Sequence, residues 1–174
     1  MVATENAFNT VAESPDDRRR LLRIFLADHL ASTTGAVELA KRARRENAGT
    51  PIESTLASLE GELRRDRDEL TRIARDVGGP GSAPKIGLAW LGEKVGRLKL
   101  NGRLLSYSPL ARVYELEVLL AFAYQRRMMW LTLARAARRD LPESRVDFQQ
   151  RVERAEQQRL ELEELLLDAA EVAL

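Results

Sequence analysis

Between Ile52 and Val77 an apolar residue recurs at alternating steps of four and three: Ile52, Leu56, Leu59, Leu63, then Asp66, then Leu70, Ile73 and Val77. This spacing keeps one narrow stripe on a single face of a long helix, and such a stripe must be covered by other helices. Asp66 is its one polar member. The segment is bounded by Thr50-Pro51-Ile52-Glu53, which predicts a threonine cap, proline in the first turn and a glutamate reaching back to the cap amide. At the other end Gly78-Gly79-Pro80-Gly81 stops it.

Three further stretches carry helical spacing. The first is expected from about Asp16 to Asn47, opened by Ser14-Pro15-Asp16-Asp17, with a seam of Leu22, Phe25/Leu26, His29, Thr33, Ala36/Val37 and Ala40. The third starts at Ser108-Pro109 and runs to about Arg138, with Leu110, Val113, Glu117, Leu120, Tyr124, Met128 and Leu131 as its seam. Leu116, Leu119, Phe122, Met129 and Trp130 add apolar surface on its other sides, so this helix is expected to need a second partner. The fourth is placed from between Pro142 and Ser144 nearly to Leu174, with Phe148, Val152, Ala155, Arg159, Leu162, Leu166 and Ala169 inward. About thirty residues per helix correspond to roughly 45 Å.

Between the second and third helices lie roughly 27 residues, more than a tight turn needs. Ile86, Leu88, Ala89, Trp90, Val95 and Leu98, interrupted by Gly87, Gly92 and Gly96, predict a short helix within a long crossover. Helix, tight turn, helix, crossover, helix, short turn, helix predicts an all-α, ferritin-like up-down four-helix bundle. Residues 1–15 read as a flexible tail and 16–174 as the bundle domain.

Composition removes several function classes. With no cysteine among 174 residues there is neither thiol catalysis nor thiolate ligation. No Gly-x-Ser-x-Gly elbow or phosphate-binding loop is present. The polar, acidic N-terminus does not read as a secretory signal and no apolar run spans a bilayer, so a cytoplasmic protein is expected. A formal charge of +1 gives the whole chain no bias toward nucleic acid or membrane, and neither is expected as a partner. Lys85, Lys94, Arg97, Lys99 and Arg103 nevertheless form a basic run that offers an alternative, an anion-binding module; the same run can face the glutamate-rich last helix instead.

The chain resembles a family of uncharacterised bacterial ferritin-like proteins, through Leu30-Ala31-Ser32-Thr33-Thr34-Gly35-Ala36-Val37-Glu38-Leu39-Ala40 and Trp90-Leu91-Gly92-Glu93-Lys94-Val95-Gly96-Arg97-Leu98-Lys99-Leu100-Asn101-Gly102-Arg103. The second helix and Ser108-Pro109-Leu110 belong to the same resemblance. It implies the fold and no particular activity. Ferritin-like di-metal proteins combine carboxylates from two helices with a Glu-x-x-His from each of the other two. Here Glu156-Gln157-Gln158-Arg159 and Glu62-Leu63-Arg64-Arg65 put arginine where histidine would stand, and a guanidinium cannot ligate a cation.

The expected interior is therefore a polar layer of His29, Asp66, Glu117, Glu156 and Arg159 with arginine supplying the positive charge, and no cofactor. The alternative is a mononuclear Fe or Mn site on His29, Asp66 and Glu117, as in a metal-binding or oxidoreductase protein. The expected function is non-enzymatic association, most simply a homodimer through the third helix and the crossover.

Overall fold

The computed structural model describes residues 14–79, 107–141 and 144–174. Among them are four long helices and no strand: α1 (Pro15–Glu46), α2 (Glu53–Asp76), α3 (Pro109–Asp140) and α4 (Phe148–Ala173). Residues 1–13 of the expected tail and the expected crossover helix lie outside the described residues.

The helix ends follow local chemistry. Ser14 Oγ accepts from the Asp17 amide at 3.1 Å, and Ser108 Oγ accepts from the Ala111 amide at 3.1 Å, each followed by proline in the first turn. The second helix starts later than expected. Thr50 does not cap it; its hydroxyl donates to the Asn47 carbonyl at 2.7 Å, and the Glu53 carboxylate accepts from the Gly49 amide at 2.7 Å. These groups are consumed in reversing the chain after α1, a turn in which Gly49 takes φ +76°. At its far end α2 closes with Gly79 N–H donating to the Ala74 carbonyl and Gly78 N–H to Arg75, the paired bonds of a Schellman motif, with Gly78 at φ +72°. The fourth helix also begins later than expected, at Phe148, because the Asp147 side chain accepts from the Gln150 amide at 2.9 Å.

Two apolar clusters set the helix directions. One joins the start of α1 (Leu22, Leu26, Leu30), the end of α2 (Leu70, Ile73, Val77), the end of α3 (Met129, Trp130, Leu133) and the start of α4 (Val152). The other joins Ala36–Ala43 of α1, Leu56–Leu63 of α2, Leu116–Ala123 of α3 and Leu162 of α4. Thus α1 and α4 run one way, α2 and α3 the other. α1 packs beside α2 and α3, and α3 beside α4, so α2 and α3 face each other across the core. Gly79 lies near Arg23 and Tyr107 beside Asn47. These two points on α1 are 24 residues, about 36 Å, apart. The segments flanking residues 80–106 therefore sit at opposite ends of the bundle.

The α2 seam is as expected throughout Leu56 to Val77, and most of the α1 seam is buried. On α3 the expected seam is displaced. Leu110, Glu117, Tyr124 and Met128 are exposed, while Leu116, Leu119, Ala123, Arg126, Met129, Trp130 and Leu133 face the core. The helix has two apolar stripes: the one containing Trp130 and the leucines is buried, and the one containing Tyr114 and Tyr124, whose hydroxyls are costly to bury without partners, stays exposed. On α4 the inward polar residue is Gln158 rather than Arg159, one position away. A neutral amide costs less to bury than a guanidinium, which at position 159 reaches the surface.

Candidate functional site

Between the two apolar clusters each helix contributes one buried polar residue: Thr33, Asp66, Arg126 and Gln158. The last three are 3%, 4% and 2% exposed. Asp66 sits between two guanidiniums, with Arg126 Nε 3.2 Å from Oδ2 and Arg151 Nη1 2.8 Å from Oδ1. The Trp130 indole N–H donates to the same carboxylate at 3.3 Å. Arg126 Nη2 donates to the Gln158 carbonyl oxygen, tying α3 to α4. Arg151 lies over the Trp130 ring, 5.8 Å from its centroid, and also approaches Glu69 at 3.7 Å.

Burial dominates the electrostatics. It pushes the Asp66 carboxyl above its usual range, against the opposing pull of Arg126, Arg151 and the Trp130 N–H. Burial likewise lowers the Arg126 pKa, opposed by Asp66. Each charge is expensive alone in this setting and is held by the other.

Of the residues expected in the polar layer, Asp66 is at its centre. His29 is half-buried one turn from Thr33, its ring 4.3 Å from that of Phe25, and burial lowers its pKa while Asp28 raises it. It lines a small cavity together with Arg126. Glu117 is exposed on the outer face of α3 and does not join them. Glu156 and Arg159 form a partly exposed pair at 3.0 Å, with Arg127 3.1 Å from Glu156 and Glu163 also on Arg159. The hydrogen bond from Arg159 lowers the Glu156 pKa. Neither residue reaches Asp66. The Glu62–Arg65 pair is a surface bridge too, joined by Arg154 at 3.2 Å.

The set His29, Asp66 and Glu117 is thus not assembled, and among the described residues no three His, Asp or Glu side chains stand together as a cation site. Lys85, Lys94, Arg97, Lys99 and Arg103 lie outside the described residues.

Arg126 had a legible signal. Leu59, Leu63, Asp66, Leu70 and Ile73 on α2 and Leu119, Ala123, Arg126, Trp130 and Leu133 on α3 share the same steps of four, three, four and three, with the acid and the base at the matching place. Arg151 and Gln158 had no such mark. Two other buried acids were also hidden, both near the end of the bundle where α3 begins. Glu60 receives Arg64 at 2.6 Å and Arg44 at 2.9 Å. Glu115 accepts from the Tyr107 hydroxyl at 2.9 Å and pairs with Arg42 at 3.1 Å, while Asn47 links Tyr107 to Arg112. Burial raises the pKa of both Glu115 and Tyr107.

Comparison of the chain with protein-family models, curated proteins and solved structures yields no match. No helix among the described residues is long and apolar enough to cross a membrane.

Proposed function

We propose that the protein is a ferritin-like scaffold without enzymatic chemistry, in which arginines fill the place of a metal centre and the outer face of α3 binds a second copy of the chain. The observation that carries association is a stripe of exposed residues on α3: Leu110, Tyr114, Glu117, Ala121, Tyr124 and Met128, again at steps of four and three. Tyr124 is 57% exposed. Exposed large apolar residues at coiled-coil spacing are unusual on a face that meets only water.

The stripe is close to self-complementary. Two such helices laid antiparallel about a two-fold axis that crosses the outer face at the height of residue 119 would bring Leu110 of one copy to Met128 of the other, Tyr114 to Tyr124, and Glu117 to Ala121, whose small side chain leaves the carboxylate room to reach solvent. What supports the scaffold reading is Asp66 itself, whose two oxygens are taken by Arg126, Arg151 and Trp130.

Light scattering behind size-exclusion chromatography tests association on the full chain. A dimer is expected at micromolar concentration, and Tyr124→Arg should convert it to monomer with an unchanged helical spectrum. A monomeric parent, or a dimer indifferent to Tyr124→Arg, overturns the reading.

A further inference from the structure

Arg126 is matched in charge but not in hydrogen bonds. Asp66 lies 3.2 Å from its Nε and the Gln158 carbonyl accepts from its Nη2, yet Nη1, sealed from solvent, has no acceptor among the described residues. A buried donor left without an acceptor carries its full desolvation cost, and nearly all such groups in folded proteins find a partner, ordered water included. Arg126 also lines a cavity of about 10 Å³ between α1 and α3, together with His29, Ser32, Thr33, Ala36 and Gln125.

Thr33 is the α1 member of the polar layer and the one left unconnected. Its neighbour Thr34 returns its hydroxyl to the Leu30 carbonyl at 2.7 Å, as threonine in a helix commonly does. The Thr33 hydroxyl has no partner among the described residues, at 6% exposure for the residue. The Ser32 hydroxyl donates to Gln125 Oε1 at 2.8 Å, which leaves the lone pairs of both hydroxyl oxygens able to accept. The α3 wall of the cavity thus brings a donor in need of an acceptor, and the α1 wall brings acceptors.

We propose that this cavity binds one water molecule, which accepts from Arg126 Nη1 and donates to the Thr33 hydroxyl. A space of this size holds about one water, and a buried water needs two to four polar partners, which Arg126, Thr33 and Ser32 supply. Asp66 already meets the charge of Arg126, so an anion gains nothing over a neutral ligand, and the guanidinium repels a cation. What fits is neutral, water-sized, and both donor and acceptor. Through it Thr33 joins Arg126, and with Asp66 and Gln158 the polar layer then links all four helices.

Thr33→Val tests the site because the two residues share a shape, are both β-branched and have near-equal helix propensity. A dry cavity would make the variant more stable, since valine removes an unpartnered buried hydroxyl. With the water in place the variant loses an acceptor of the bridge, and the unfolding midpoint should fall by about 2–6 °C with an unchanged helical spectrum. Crystals of the full parent chain should show an ordered water within hydrogen-bond reach of both Arg126 Nη1 and Thr33 Oγ1. An unchanged or raised midpoint in Thr33→Val, no density at the site in the parent, or a water that does not reach Thr33 would each overturn the assignment.

Discussion

Replacing Asp66 by asparagine removes a charge and almost no volume. Arg126 would then keep its charge at 4% exposure with only Gln158 as a protein partner. Breaking a buried ion pair on one side typically costs about 3–5 kcal/mol. The lower part of that range is expected, about 3–4 kcal/mol, for two reasons drawn from the geometry. Arg151 can turn fully to Glu69, already 3.7 Å away, and the asparagine oxygen can still accept from Trp130. In a domain of this size that corresponds to a fall of about 6–16 °C in Tm. Urea unfolding followed by circular dichroism at 222 nm gives the same quantity as a shift in midpoint at constant slope. The double variant Asp66→Leu with Arg126→Met is the decisive arm, because removing both charges leaves neither uncompensated, and buried pairs replaced this way often lose little. It should be more stable than Asp66→Asn alone. Two results would refute the reasoning: an Asp66→Asn variant within about 1 kcal/mol of the parent, or a double variant whose loss equals the sum of the single losses, since additivity means no coupling across the core.

Adjacent positions on α4 should behave oppositely. Gln158→Leu strips Arg126 Nη2 of its acceptor and should cost about 1–3 kcal/mol, whereas Arg159→Ala, which removes only surface pairs with Glu156 and Glu163, should leave the urea midpoint unchanged within error; equal effects would return Arg159 to the interior. His29, the sole histidine, has its folded pKa lowered from 6.5, so the unfolded chain takes up a proton first as pH falls. Its contribution is fully present above about pH 6.5 and declines below that value. Asp66 and Glu115, raised by burial, act with the opposite sign above their ordinary values, but both remain in His29→Gln, so the difference between the two pH–stability profiles isolates the histidine; parallel profiles would contradict its burial.

What the sequence disclosed depended on how regular each helix is. The α2 stripe has one apolar face, so spacing alone located both its seam and Asp66. The α3 helix carries two stripes, and periodicity finds both without ranking them. Packing ranks them: Trp130, Leu116, Leu119 and Leu133 are at most 1% exposed, whereas Leu110, Tyr114, Tyr124 and Met128 are 40–57% exposed, and the two phenol hydroxyls of the second stripe would each need a partner if buried. That choice carried Glu117 outward and Arg126 inward. On α4 the inward steps from Ala155 to Leu162 can be four and three or three and four, placing Arg159 or Gln158 on the seam. The arginine in the interior is Arg126 on α3, while Arg159 on α4 pairs with Glu156 and Glu163 at the surface. Arg151 could not be read at all, since it reaches Asp66 from the edge of its helix across 85 positions of chain.

Helices whose seams repeat every seven residues face a hazard of their own: slid by one heptad, leucine meets leucine again and an apolar core hardly notices. The matched polar pair forbids that here. Moving α3 by seven residues, about 10.5 Å, would carry Arg126 away from Asp66 and leave both charges among leucines. Asp66 and Arg126 thus act as an alignment mark that penalises every neighbouring register during assembly. Substituting both by apolar residues could raise stability while admitting shifted pairings, a loss that broadened amide resonances would reveal where a melting curve would not.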